Sequence, residues 1–191
     1  MAIPVATILT NVKIVLNDAG LVHWTQDELL AWISEGQIEL VKLKPDAATK
    51  TVEHQLVPGA KQTNPEGCIE IIEIRQNKDG ASVTQFDRGV MDRFSPNWMT
   101  TPTSSVVKQW ADDPQPETFY VLPAQNAAPA KVVLTHTFTP PAVTSPTGTS
   151  QVRDIYQAAL ENYVLFRAFS KDSEPASAER AVAYGKAFYG G

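Results

Sequence analysis

The sequence has little cysteine, no excess of basic residues and no long apolar run. Cys68 is the single cysteine among 191 residues, which excludes an internal disulfide and a cysteine-cluster metal site and favours a reducing compartment. Lysine and arginine total 16 against 21 aspartate and glutamate residues, and this net charge of −5 argues against a dedicated binder of nucleic acid or anionic membrane. No apolar run approaches the ~20 residues of a membrane span, and no basic segment of a signal peptide precedes the apolar N-terminus. We therefore expect no membrane partner.

Motifs of common enzyme sites are also missing from the sequence. It has no phosphate loop, no dinucleotide fingerprint and no nucleophile elbow. The three histidines, His23, His54 and His136, lie far apart, and none has a second ligand three or four residues away, as a local metal site needs. Cys68 lacks a nearby base and is interpreted as a small apolar residue. We expect no catalytic residue, no cofactor and no metal.

The N-terminal part of the chain shows helical spacing of its apolar residues from Val5 to about Leu43. The pattern predicts a first helix that residues 18–20 end, with Gly20 as its left-handed cap. Thr25 to Glu28 reads as a capping box that starts a second helix, which Pro45 ends. The predicted apolar face of the first helix is Ile8, Val12, Val15 and Ala19. The predicted stripe of the second is Leu29, Leu30, Ile33, Gly36, Leu40 and Val41.

The middle of the chain changes to short β-branched runs separated by turn residues. The predicted strands are Ile69–Arg75, Ser105–Ala111, Thr118–Leu122 and Lys131–Phe138. Asn77–Gly80 is predicted as a turn, and Phe86–Phe94 as one or two helical turns. Two long loops, Gln55–Pro65 and Ala124–Ala130, are expected to become ordered on assembly. A proline-rich linker, residues 139–150, leads back to helical sequence.

The C-terminal part reads as two alanine-rich helices, Gln151–Ser170 and Pro175–Tyr189, joined by a charged turn, Lys171–Glu174. A seam runs along the first helix, with further apolar residues beside it, so its apolar surface is wide. The seam residues are Ile155, Ala159, Asn162, Phe166 and Phe169. Such a surface fits a helix at the centre of its own bundle, and it equally fits a helix that turns one face to a partner.

These patterns predict an α+β fold. An antiparallel helical bundle is formed by both termini, and a small β-sheet or β-sandwich region is inserted between them. The expected domains are a helical domain of residues 1–50 and 150–191 and an inserted β-rich domain of residues 51–149, which contains the return linker.

Two segments of the chain resemble the head-to-tail adaptor proteins of tailed bacteriophages. In the segment from Leu16 to Ala47, the residues that carry the resemblance are Trp24, Thr25, Glu28, Leu29, Pro45 and Asp46. The segment from Arg153 to Phe188 resembles the paired closing helices of those proteins, and the inserted strand around Thr118–Pro123 also fits.

The resemblance implies a structural virion protein of the neck, assembled in the host cytoplasm, and no enzyme. Such adaptors form a ring, usually dodecameric, beneath the portal protein. They connect the capsid to the tail or nozzle protein and line the channel through which DNA leaves. The partners implied are therefore the portal, the tail or nozzle protein and further copies of the chain. Packaged DNA would pass without sequence-specific binding, which agrees with the modest negative charge.

Aromatic and arginine side chains are the usual anchors of protein interfaces. On that ground we predict the ring interface at Tyr156, Tyr163, Phe166 and Arg167. The resemblance implies that a terminal segment often reaches the portal, so we predict portal docking near the C-terminus, from Tyr184 to Gly191, through Tyr184, Lys186, Phe188 and Tyr189.

Two other functions compete with the adaptor. One is another phage neck or tail-completion protein, which would have different neighbours. The other is a small hydrolase with a site between the helices and the β-insert, for which Asp112, Asp113 and His136 are the polar candidates. An enzyme predicts a polar pocket inside one chain, whereas a structural subunit predicts exposed apolar patches.

Overall fold

The computed structural model describes residues 2–100, 102–172 and 174–190, and it confirms the α+β class. Contacts between residues divide the chain into two compact units. Unit 1 is formed by residues 1–48 and 139–191, and unit 2 by residues 49–138. Of the segments predicted above, Ser173 in the charged turn and Gly191 at the C-terminus lie outside the described residues.

The helices are α1 (Val5–Leu16), α2 (Gln26–Leu43), α3 (Arg88–Phe94), α4 (Gln157–Lys171) and α5 (Pro175–Tyr189). The strands are β1 (Ala2–Pro4), β2 (Thr49–Gln55), β3 (Gly59–Thr63), β4 (Cys68–Asn77), β5 (Thr84–Gln85), β6 (Thr103–Ser104), β7 (Gln109–Asp112), β8 (Thr118–Gln125), β9 (Lys131–Phe138) and β10 (Thr149–Arg153). Short 3₁₀ turns cover Pro45–Ala47 and Asp154–Tyr156.

In unit 1, helix α4 contacts α1, α2 and α5. The start of α2 is the predicted capping box, because the Thr25 side chain accepts from the Glu28 amide while the Glu28 carboxylate accepts from the Thr25 amide. All six residues of the predicted α2 stripe are buried. Gly36 lies where α2 meets α4, and a Cβ there would stand 2.7 Å from Leu160 Cδ1.

The first helix differs from its prediction. It ends at Leu16, and Asn17, with φ of 53°, takes the left-handed cap position that we assigned to Gly20. Asparagine tolerates this conformation because its short side chain bonds locally. Val15 is exposed, and Ala19 lies beyond the helix, so the predicted face was wrong in its second half. The buried face is Val5, Ile8, Leu9, Val12 and Leu16.

The linker after β9 is held against α2 by Ser34, whose Oγ accepts from the Val143 amide at 2.8 Å, and by one buried glutamine. Gln37 is fully buried, and its Nε2 donates to the Pro141 carbonyl at 3.3 Å. Its Oε1 accepts from Ser150 Oγ at 2.8 Å and from the Gln151 amide at 2.9 Å. Gln151 lies in β10, which pairs with β1 in antiparallel fashion, so residues 151–156 form a strand and a 3₁₀ turn instead of the predicted helix start.

Unit 2 contains two sheets that share one hydrophobic core. One sheet has the order β2-β9-β4, and the other has the order β3-β8-β7-β5, with β6 also paired to β8. Core side chains come from both sheets, including Ile74 and Leu134 from the first and Trp110 and Phe119 from the second. Strand β3 was predicted as loop, and its pairing with β8 orders part of that segment.

Strand β4 is bulged three times against β9. Its ten residues pair with seven on β9, and the register shifts between Cys68 and Glu70, Ile71 and Glu73, and Ile74 and Gln76. Each bulge adds one residue, so the residues that turn inward recur every third position instead of every second. Ile71 and Ile74 are buried as a result, whereas Ile69 and Ile72 are 52% and 47% exposed.

Candidate interaction surface

Helices α4 and α5 form an antiparallel pair joined by stacked and edge-to-face aromatic rings. Near the turn, Phe169 stacks on Tyr184 with ring centroids 5.7 Å apart. At the other end, Tyr163 contacts Phe188 at 4.9 Å. Gly185 permits the close approach between these contacts, since a Cβ there would lie 3.2 Å from Phe166. The aromatic residues expected from the sequence are thus concentrated on the two facing sides of this pair.

The predicted ring residues differ in what they expose. Tyr163 is buried, and its hydroxyl accepts a hydrogen bond from Arg167 Nη1 at 3.3 Å. The same guanidinium forms an ion pair with Glu35 of α2, and it is half-buried. Phe166 is also half-buried, against Tyr163 and Tyr189. Of these three, Phe166 and Arg167 can be reached from solvent, while Tyr163 supports them from within the chain.

Tyr156 is placed apart from the other ring residues, in the 3₁₀ turn before α4. Its hydroxyl donates to the Asp46 carboxylate at 3.0 Å, and Arg153 forms an ion pair with the same carboxylate at 3.1 Å. Burial, followed by the hydrogen bond with Asp46, raises the pKa of the Tyr156 hydroxyl. The Tyr156 hydroxyl therefore stays protonated and continues to donate a hydrogen bond to the Asp46 carboxylate.

The predicted portal residues also divide into supporting and exposed ones. Phe188 is buried, and Tyr184 is half-buried under its contact with Phe169. Lys186 is exposed, and Tyr189 is 51% exposed. The most exposed of the four are therefore Lys186 and Tyr189.

A groove of about 250 Å³ opens in unit 1 where three helix ends meet. We refer to it as the terminal groove, and its lining residues are Leu40, Leu43, Lys44, Tyr156, Ala159, Ala187, Phe188 and Tyr189. It brings Tyr156 from the predicted ring set together with Phe188 and Tyr189 from the predicted portal set. Leu43, 43% exposed, was not expected there, and its only sequence signal is its place just before Pro45.

The polar residues of the hydrolase alternative are not brought together. Asp112 and Asp113 line one cavity of unit 2, whose lining does not include His136. His136 is fully buried on β9, where its Nδ1 lies 3.0 Å from the Thr137 carbonyl oxygen. Burial lowers the pKa of His136, and this effect exceeds that of the hydrogen bond with Thr137, which acts to raise the pKa.

Cys68 has the chemistry of a structural residue. Burial, with a smaller contribution from the charge of Glu70, raises the pKa of its thiol to about 11. Because the thiolate is the reactive form, a thiol with this pKa is a weak nucleophile at neutral pH.

Neither metal-binding clusters nor membrane spans occur among residues 2–100, 102–172 and 174–190. Within these ranges no group of three or more histidine, cysteine, aspartate and glutamate side chains could hold a metal ion. No helix in them has the length and hydropathy to cross a bilayer.

The sequence model of the SU10 adaptor protein family matches residues 3–191 of the chain. The chain belongs to this family. The match spans both units, so the helices and the β-strands together make up the adaptor. It confirms the resemblance to phage head-to-tail adaptors and assigns the chain as a structural adaptor protein of a phage. A comparison with curated proteins found no match.

The adaptor family also indicates where the protein works. A phage adaptor is a component of the virion neck, and it interacts with portal and tail proteins. In unit 1 the terminal groove presents Tyr156 and Tyr189, and Lys186 is exposed on α5.

Proposed function

We propose that this adaptor assembles as a dodecameric ring beneath the portal, connects the capsid to the tail and lines the channel through which DNA leaves. The family match over residues 3–191 carries the proposal. The net charge of −5 supports the channel role, because a strongly basic wall would retain the DNA. In this proposal unit 1 is a helical bundle built from both termini, and unit 2 is a domain inserted into it.

The ring contact that we propose in unit 1 uses Phe166 and Arg167, together with Tyr156 at the terminal groove. Phe166 offers an aromatic face at the margin of the α4–α5 pair. Arg167 keeps several N–H donors after its bonds to Glu35 and Tyr163, because a guanidinium has five. Tyr163 is assigned a positioning role, since it is buried and bonds Arg167.

Portal docking is proposed for the end of α5, through Lys186 and Tyr189. Tyr184 and Phe188 hold this end against α4, so the exposed pair is presented by a fixed helix. Deleting residues 185–191 would be a poor test, because it would also remove the buried Phe188 and open the core. Substitution of the exposed residues separates docking from folding.

Electron microscopy of the adaptor mixed with the portal of the same phage tests both assignments. The wild-type chain is expected to add a ring of density at the portal exit. The double variant Lys186→Ala with Tyr189→Ala is expected to bind the portal at least tenfold more weakly, as for loss of an interface anchor. The double variant Phe166→Ala with Arg167→Ala is expected to give incomplete rings.

The matched control is Val182→Ala, which truncates another apolar side chain on α5 that is 58% exposed. It should assemble as the wild type does. Absence of any complex between the wild-type adaptor and its portal would refute the proposed function. Normal rings from either double variant would refute the corresponding surface alone.

A further inference from the structure

Helix α3 packs Met91 against the core around Trp98 and Tyr120, but it turns two other apolar side chains to solvent. Phe94 is 83% exposed and Val90 is 49% exposed, and their spacing of four residues places them on one helix face. Among its seven residues none is buried. A surface helix normally presents its apolar stripe to its own core, so this arrangement requires an explanation.

The inner side of α3 is fixed by polar contacts. Asp92 accepts a hydrogen bond from Trp98 Nε1 at 2.8 Å, and Trp98 itself is buried. Arg88 pairs with Asp113 at 3.2 Å and lies over the Tyr120 ring at 4.7 Å. These bonds hold the helix so that Val90 and Phe94 face outward, with the exposed Arg93 beside them.

A cavity of unit 2 next to the start of α3 combines a small apolar part with several carboxylates. It has a volume of about 270 Å³ and lies between the start of β4 and the turn from β7 to β8. Its accessible apolar surface comes chiefly from Ile69, which is 52% exposed, whereas Ile71 and Phe119 beneath it are buried. A volume below the roughly 300–1,000 Å³ of small-molecule sites suits a single large side chain better than a ligand.

Four carboxylates line this cavity, and among the described residues only Asp113 of the four has an ion-pair partner. Asp113 is paired with Lys61 and Arg88. Asp112 accepts a hydrogen bond from Gln85 at 2.9 Å, and no side chain of the described ranges forms an ion pair with it. Glu70 and Glu117 also line the cavity, and no described residue forms an ion pair with either.

The pKa of Asp112 agrees with a cavity rim whose negative charges are not all neutralised. Burial, and then the charge of Glu70, raise the pKa of the Asp112 carboxyl group. A cation brought to this rim would relieve the repulsion between the two carboxylates.

We propose that Phe94 of one copy inserts into this cavity on the next copy, while Arg93 pairs with the carboxylates of its rim. The Phe94 ring would lie against Ile69, and the guanidinium would face Glu70 and Asp112. This inference rests on the proposed function for the ring in which the copies meet. It adds a contact in unit 2 to the one proposed for α4.

The contact has a direction, because the inserted side chain and the cavity are different surfaces of the same unit. A contact between unlike surfaces leads from each copy to the next and closes as a ring when the rotation allows. Aromatic and arginine anchors seated in a pocket are also the residues on which interface affinity usually depends.

Charge exchange tests the pairing within the assembly. Arg93→Glu and Glu70→Arg, each alone, are expected to lower ring formation on the portal by at least tenfold. The chain that carries both changes should recover most of it, a recovery that a merely structural role of either residue would not give. Phe94→Ala should weaken assembly to a similar degree without lowering the unfolding temperature, because the side chain is exposed.

Disulfide trapping tests the contact directly, with or without the portal. Two proteins are prepared in a Cys68→Ser background, one with Phe94→Cys and the other with Ile69→Cys, and are mixed under oxidising conditions. A disulfide requires Cα atoms within about 7 Å, so a mixed dimer reports a true contact. The control replaces Phe94→Cys with Ile14→Cys, which alters a side chain 72% exposed in unit 1.

A mixed dimer well above the Ile14→Cys control is the expected result. No excess over that control, both on the portal and at high concentration without it, would overturn the inference. If wild-type rings form while the trapping fails, the proposed function stands and this contact is wrong. If the portal does not bind and the dimer still forms, the contact stands and the proposed function fails.

Discussion

Asp113 connects three elements of unit 2 through one buried carboxylate. Its side chain is 3% exposed, and it accepts from Lys61 Nζ at 3.1 Å, from Arg88 Nη1 at 3.2 Å and from Thr118 Oγ1 at 2.8 Å. Burial alone would raise its pKa and is the largest single influence. The hydrogen bonds from the Gln115 amide and Thr118, together with Lys61, outweigh burial and lower the pKa to about 2.

The stability of unit 2 should therefore depend on pH in a defined window. A carboxyl group whose pKa is depressed on folding stabilises the native state above its unfolded pKa and loses that effect as the pH falls through its folded pKa. For Asp113 the window runs from 3.8 down to about 2, and the contribution is about 2 kcal/mol. Urea unfolding of the wild type and of Asp113→Asn across that window measures the difference.

We expect Asp113→Asn to be less stable than the wild type by about 2 kcal/mol at neutral pH, and the gap to close as the pH falls. Asp79→Asn, in the exposed turn after β4, serves as the control and should show no such gap. A gap between Asp113→Asn and the wild type that stays constant down to pH about 2 would contradict the assignment.

At the scale of elements, the packing of α2 on α4 depends on the absence of a side chain at Gly36. A Cβ there would lie 2.7 Å from Leu160 Cδ1 and 2.8 Å from Tyr163 Cδ1, and both of these side chains are buried. Gly185 in α5 offers a milder case, with 3.2 Å to Phe166, whose ring is half-buried and can move.

Gly36→Ala is expected to lower the free energy of unfolding by about 1–3 kcal/mol through overpacking. This loss should exceed the gain of about 1 kcal/mol in helix propensity that alanine brings. Gly185→Ala is the matched control and should remain within about 1 kcal/mol of the wild type, because its propensity gain offsets a smaller clash. Equal stability of the two variants in urea unfolding would contradict this prediction. It would mean that α2 and α4 can move apart enough to accept the extra methyl group at no cost in stability.

Local signals predicted some elements well and failed where distant partners decide the structure. The capping box at Thr25 and the bounds of α5 follow from nearby side chains, and both predictions are confirmed. Strand β3 has no apolar alternation, and it is ordered by its pairing with β8 and by Gln62, which bonds Val57 and Gly59. Residues 151–153 read as helix because nothing local shows their pairing with β1.

The same limit applies to the candidate surface. Composition predicted that aromatic residues of α4 and α5 would matter. It could not separate Tyr163 and Phe188, which are buried, from Tyr189, which is exposed. That distinction depends on how each helix is rotated about its axis against the other. Helical spacing alone predicts a wide apolar face and does not say which part of that face is buried.

For the whole molecule, the chain enters and leaves unit 2 through neighbouring strands. Thr49, its first residue, pairs with Thr137 at the end of β9. Ends that lie side by side let a unit be inserted into another without stretching either one. Unit 2 also has a core of its own, drawn from both of its sheets.

Residues 49–138 expressed alone are therefore expected to unfold in one cooperative transition, followed by circular dichroism and calorimetry. Trp110→Ala should reduce the stability of that fragment by about 3–5 kcal/mol, because Trp110 is 2% exposed in the core. Val57→Ala, which truncates a side chain 45% exposed, is the matched control. A fragment without a cooperative transition would mean that unit 2 needs the helices in order to fold.

The three bulges of β4 also bear on solubility. A straight edge strand of ten residues would offer a regular row of amide and carbonyl groups, and a strand of another molecule could form hydrogen bonds with that row. Bulges break the even spacing of those groups, so a foreign strand cannot match them over any useful length. We therefore expect the bulges to oppose aggregation through the edge of β4, although Ile69 and Ile72 are exposed there.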